Sequence, residues 1–207
     1  IRLSLVGSEM CIRDRQMVDG RRITDAATLK IVTMVYAGYI NKNIVAALQS
    51  KNVNALGICG ADANIIKAHK RIHATTDYGF VGDIDAVDTD KIVALLHFGM
   101  SLVVAPITHD GAGQLLNTNA DTIAQAIATA ISSVYEVSLV YSFEKKGVLS
   151  DIYNNDSVIP VIDPENYASL KANGQVNEGM IPKLDNAFEA LQKGVTRVII
   201  GDALEID

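Results

Sequence analysis

Residues 88–107 read DTDKIVALLHFGMSLVVAPI, and the two halves follow different rules. The first half has the apolar spacing of a helix and ends at Gly99, a residue suited to a helix C-cap. The second half, SLVVAPI (101–107), is short, rich in β-branched residues and apolar nearly throughout. Such a run suits a strand covered on both faces, the habit of parallel sheets. The same kind of run recurs at VNALGIC (53–59), VSLVY (137–141) and TRVIIGD (196–202). Helical patterns lie between them, over 24–51 from a Thr24 cap, 119–134 and 179–194. In the second of these, Ala120, Ile123, Ala124, Ile127, Ala128 and Ile131 form one stripe. Strands alternating with helices predict an α/β fold, a three-layer α/β/α sandwich on a mainly parallel central sheet. Residues 60–87 alternate weakly, carry several glycines and read as a hairpin or an excursion from that sheet. With no internal repeat and no low-complexity linker, residues 16–207 are expected to form one domain.

Composition narrows the functional classes. Of 207 residues, 49% are hydrophobic and 20% charged, with a net charge of −6, which describes a well-packed globular chain. The acidic balance argues against general nucleic-acid binding, which needs a basic surface to displace counterions. It leaves room for an anionic small molecule, because a few placed cations suffice. The two cysteines are Cys11 and Cys59, too few for a disulfide framework, and point to a reducing, cytoplasmic setting. No apolar run approaches the ~20 residues of a membrane span, so no membrane partner is expected.

The opening IRLSLVGSEMCIRDR (1–15) contains EMCIRDR, which matches one translated frame of a sequencing-adapter end. These residues are expected to be a non-native scar and are left out of the fold reasoning. At the other end, VIIGDALEID (198–207) stops just after a strand, so the chain is expected to be a fragment at both ends.

Three stretches carry chemistry. In GAGQLLNTNADTIAQAI (111–127), a short strand leads to Asn117 and Asn119, which share a face of extended chain, and to Asp121 in the first helical turn. Capping accounts for Asn119 and the helix dipole for Asp121, but neither gives Asn117 a task. In NEGMIPKLDNAF (177–188), Gly179 opens a helix with Lys183 in its second turn; backbone N–H groups and a point charge together suit phosphate. In DGRRITDAA (19–27), Arg21 and Arg22 precede a helix start, a place for a carboxylate. Read singly, the last two stretches are more often a surface lysine and a solvated arginine rim. His69, His73, His97 and His109 show no zinc-ligand spacing, and Cys59 lies in no nucleophile motif.

Taken in order, DGRRIT, AGYINKNIVAAL, GQLLNTNAD and EGMIPKLDNAFEAL resemble the acetylglutamate kinase branch of the amino acid kinase family, over residues 16–207. The resemblance implies the α/β/α sandwich and transfer of the γ-phosphoryl of ATP, with Mg2+, to the side-chain carboxylate of N-acetyl-L-glutamate in arginine biosynthesis. It implies that Arg22 grips the substrate α-carboxylate and that Asn117 holds the acylated amino acid. It makes Asp121 the acid that orients the catalytic lysines, and Lys183 the lysine that stabilises the transferring phosphoryl. Gly179 and Met180 would meet the nucleotide, Asn41 and Lys42 would be structural, and helix 25–49 would form a homodimer interface. Two departures stand out. The family's K-x-G-G loop and second glycine loop have no counterpart, so the 207-residue chain alone is expected to be inactive. FEKKGVL (143–149) puts Phe143 and Glu144 where relatives carry a small hydroxyl and an Asp. The rival readings are another amino acid kinase, acting on aspartate, glutamate, carbamate or a nucleoside monophosphate, and a non-catalytic ligand-binding protein on the same fold.

Overall fold

The computed structural model describes residues 17–18, 21–143, 145–151, 153–173 and 180–202. The expected scar at 1–15, together with Glu144 and Gly179, lies outside the described residues. The chain divides into two compact units, Ile1–Ile123 and Ala124–Asp207.

In the first unit, β1 (Met17–Val18) and β2 (Arg21–Arg22) form a short antiparallel pair. Helix α1 follows as Ala26–Gln49. Its cap is Asp25, whose Oδ1 accepts the Thr28 N–H at 2.7 Å, and not the expected Thr24. Thr24 is fully buried and committed elsewhere: its N–H donates to Tyr78 O and its carbonyl accepts from Phe80 N–H. A residue still paired in extended geometry cannot also present its side chain to the next helical turn, so the cap falls one residue later.

Over Thr33–Ile40 the helix winds with wider π-type bonding before returning to α geometry at Asn41–Gln49. The wider turn breaks the 3.6-residue register and rotates the second half relative to the first. Met34, Tyr39, Ile40 and Ile44 are left exposed. The helix is docked on the parallel pair β3 (Ala55–Cys59) and β6 (Ser101–Ala105). Buried Asn41 donates to Val103 O at 2.8 Å, and Lys42 Nζ donates to Gly57 O at 2.8 Å. Contrary to the sequence-based expectation, α1 is long and apolar enough to cross a membrane, by length and composition only. The polar stretch Asn41–Lys42–Asn43 interrupts the run in the sequence without ending the helix, because two of these side chains turn to the sheet.

Residues 60–87 form the anticipated hairpin, β4 (Ile66–Lys70) antiparallel to β5 (Gly82–Val87). It belongs to a four-stranded sheet in the order β5–β4–β7–β8, with β7 spanning Ile107–His109 and β8 spanning Leu115–Asn117. Helix α2 (Thr89–His97) is capped by Asp88, and Gly99 takes a φ of +74° just beyond it. Leu29, Val32 and Ile107 form a core cluster that Phe80 and Leu115 join.

Helix α3 (Ala120–Ile131) leads into the second unit, where β9 (Ser138–Phe143) and β10 (Arg197–Asp202) pair in parallel. The core here joins Ala128, Val137, Leu139 and Tyr141 to Ala187 and Ala190 of α5 (Ile181–Gln192). Ala190 is completely buried, so a larger side chain there would cost about 1–3 kcal/mol through overpacking. Helix α4 (Pro164–Ala172) is not among the helices the sequence pattern predicts, and neither are the two-residue strands β1 and β2 among its strands. The signal for α4 was present: Asp163 accepts the Asn166 N–H at 2.7 Å, and Pro164 occupies the first turn, where its missing N–H costs nothing.

Candidate functional site

In the first unit, three segments distant in sequence meet at Thr24. The β2 strand carries Arg22, paired with Met17, and Thr24 follows two residues later. The return of the hairpin supplies Tyr78–Phe80, and Gly79 there has a φ of +68°. A Cβ on Gly79 would overlap the Thr24 carbonyl, so glycine is required for this approach. The third segment is the end of β8. Asn117 N–H donates to Phe80 O at 2.8 Å, and Asn117 Nδ2 donates to Thr24 Oγ1 at 3.1 Å. Asn117 therefore has a structural partner that the spacing of the two asparagines did not reveal. The buried hydroxyls of Thr108, in β7, and Thr118, just after β8, lie 2.7 Å apart. Asn119 caps α3 as expected, accepting the Thr122 N–H at 3.1 Å, and Asp121 sits in that helix's first turn. The structure thus brings Asn117 to the Arg22 segment across the whole first unit. An amide and an arginine are the groups that suit a carboxylate-bearing, amide-bearing ligand.

In the second unit, Lys183 is the third residue of α5 and lies in its first turn, a correction to the expected second turn. Pro182 explains the later start, since a proline is tolerated only where its N–H is not needed. Met180 is the residue that precedes the helix. Lys183 Nζ lies over the Tyr141 ring, 4.6 Å from its centroid. The helix start is held by Tyr167 of α4, whose hydroxyl donates to Asp185 Oδ1 at 2.7 Å and approaches Ile181 O at 3.3 Å. Burial, reinforced by the Asp185 carboxylate, pushes the Tyr167 phenol above its ordinary range, so it remains a donor. Neither Tyr141 nor Tyr167 carried a signal in the sequence beyond being apolar at helical or strand spacing.

A cavity of 290 Å³ in this unit is lined by Lys146, Gly147, Ile159, Leu184, Phe188 and Ile200 among others. Among the described residues Lys146 is the charged group in its lining, and the remaining lining is largely apolar. Cys59 is half-buried, and burial pushes its thiol above the usual value of 9.0, which disfavours the thiolate a nucleophile needs. His69 lies on β4 beside Asp85, in a strand as expected, and His73 lies beyond that strand.

A model described as the amino acid kinase family matches residues 6–202. The chain is 56% identical to the acetylglutamate kinase of Phocaeicola vulgatus, over 90% of this chain and 73% of that protein. It is 58% identical to the acetylglutamate kinase of Cytophaga hutchinsonii, over 92% of this chain and 72% of that protein. A solved protein of Streptococcus mutans superposes with a TM-score of 0.79 at 23% identity, covering 96% of this chain and 79% of that one. The fold is the α/β sandwich shared with that neighbour.

Proposed function

The chain belongs to the amino acid kinase family, and from that premise we propose that it phosphorylates N-acetyl-L-glutamate with ATP, in arginine biosynthesis. The γ-phosphoryl group passes to the side-chain carboxylate, giving an acyl phosphate. Phosphoryl transfer asks the protein mainly for positioning and neutralisation of charge. Arg22 is assigned the α-carboxylate of the amino acid, and Asn117 its acylated amino group. Lys183 is assigned the charge that develops on the transferring phosphoryl, with Asp121 as the carboxylate that organises the catalytic lysines. Gly179 and Met180 are assigned to the nucleotide. Mg2+ enters as part of the substrate MgATP. Among the described residues no three His, Cys, Asp or Glu side chains converge, and Mg2+ in kinases is held largely through phosphates and water.

The observation that carries the reading of the amino acid site is the Asn117–Thr24 bond, which links the proposed amide to the segment bearing Arg22. The exposed apolar residues of α1, with Asn41 and Lys42 turned to the sheet, support a homodimer through this helix in preference to membrane insertion. A cytoplasmic location accords with that use.

The test is formation of N-acetylglutamyl phosphate by the full-length gene product, trapped with hydroxylamine as the hydroxamate. N-acetyl-L-glutamate should support the reaction, and aspartate, glutamate and carbamate should not. Product with one of those acids alone would move the chain to another branch of the family. Nucleotide and amino acid binding without any transfer would favour a non-catalytic role. A planar bidentate clamp is not replaced by lysine, so Arg22→Lys should raise KM for the acylated glutamate far more than KM for ATP. Equal changes in both would remove the assignment.

A further inference from the structure

We propose that Thr24 is a positioning residue, which holds the Asn117 amide in its working orientation relative to the Arg22 segment. The proposal rests on the reading of Asn117 as a group that holds the amino acid substrate. Its basis is a closed ring of hydrogen bonds. Phe80 N–H donates to Thr24 O at 2.7 Å, Asn117 N–H donates to Phe80 O at 2.8 Å, and Asn117 Nδ2 donates to Thr24 Oγ1 at 3.1 Å. Thr24 N–H also donates to Tyr78 O at 3.0 Å, so the backbone of Thr24 is fixed on both sides. Thr24 is fully buried, whereas Asn117 is half-buried at the end of its strand.

This asymmetry defines the role. An asparagine at a strand end can rotate about its side-chain torsions, and an untied amide samples several orientations. A tie to a buried, immobile hydroxyl selects one of them before any ligand arrives. One edge of the amide is then engaged by the protein, and the proposal assigns its remaining hydrogen-bonding capacity to the ligand. Binding is stronger when the ordering cost has been met in the free protein. Thr24 lies two residues from Arg22 in the chain, so the same hydroxyl fixes the amide relative to the segment bearing the proposed carboxylate clamp. The two backbone bonds of the ring do not depend on the side chain, which makes the hydroxyl separable by mutation.

The experiment is steady-state kinetics of the full-length gene product with Thr24→Val, which keeps the side-chain shape and removes the hydroxyl. KM for N-acetyl-L-glutamate should rise roughly three- to tenfold, the size of one lost hydrogen bond. KM for ATP should stay within about twofold, and Thr24→Ser should restore the parent value. Thr24→Ala, with less bulk to accommodate, should show the same selective rise and serves if the Val variant folds poorly. In an Asn117→Ala background, Thr24→Val should have no further effect on KM, because Thr24 acts through Asn117. Additive effects in that double mutant, or equal rises in both KM values, would overturn the proposal. If Asn117→Ala raises KM for N-acetyl-L-glutamate while Thr24→Val does not, the proposal alone falls. If Asn117→Ala itself leaves that KM unchanged, the substrate reading falls and the proposal with it.

Discussion

Lys183 Nζ lies 4.6 Å from the centroid of the Tyr141 ring, so an ammonium at the start of α5 rests on an almost fully buried aromatic of β9. If Lys183 meets a phosphoryl group as proposed, its flexible stem gains from such a rest, worth about 0.5–2 kcal/mol. Tyr141→Phe keeps the ring and should hold kcat within about twofold of the parent, whereas Tyr141→Leu should lower it roughly three- to tenfold. Melting curves run in parallel separate this from core damage. A Leu variant with unchanged kcat would show that the ring only packs.

Lys183→Ala removes the charge itself. If Lys183 stabilises the transferring phosphoryl, kcat should fall by about 10²–10³ while binding of the amino acid, measured by calorimetry, survives. Asp121→Asn should resemble it if Asp121 organises the lysines. If Asp121 only complements the α3 dipole, its loss should cost no more than about 1 kcal/mol of stability and leave kcat alone.

Gly79→Ala should destabilise the first unit. The residue holds a φ of +68°, and a Cβ would overlap the Thr24 carbonyl. The expected loss is about 1–3 kcal/mol in urea unfolding, from backbone strain alone. Because the loop would shift from Thr24, KM for N-acetyl-L-glutamate should rise as well. A variant as stable as the parent would mean that the 78–80 loop is not held against Thr24 in solution.

Acid should weaken the fold through two paired carboxylates. Lys91 holds the Asp88 carboxyl below its ordinary 3.8, first through its side chain and then through its backbone N–H. Lys193, with Gln125 second, holds Glu189 below its ordinary 4.5. Groups with lowered values stabilise the fold above their unfolded values, and that contribution is lost as pH falls through the folded ones. Unfolding stability should therefore be level from neutrality to about pH 5 and decline below it. Lys193→Gln should be less stable than the parent at pH 7 and converge with it in acid. A difference that persists at pH 2 would assign Lys193 a role other than its charge.

How much of this was legible in the chain differs from residue to residue. The order of strands and helices was read from 88–107 and its counterparts because the helical and strand periods repeat within a dozen residues. Caps are also local, and Asn119 was read correctly from the three residues that follow it. Asp163 and Pro164 announce the start of helix α4, but its apolar residues are few, so its apolar period is weak in the sequence. A threonine ahead of a helix has the chemistry of a cap, and only its pairing with Tyr78 and Phe80 shows that it is spent elsewhere.

By itself the sequence determined the alternation of elements, the family motifs and the residue types available for phosphoryl transfer, all properties of short stretches. The tertiary structure alone decided that Asn117 bonds Thr24 across 93 residues, that Lys183 rests on Tyr141, and that Asn41 turns inward to the Val103 carbonyl. Those contacts depend on strand register and helix docking, which many distant residues set together. A shift of one residue along a strand reverses which side chains face each other, and no local pattern records that choice.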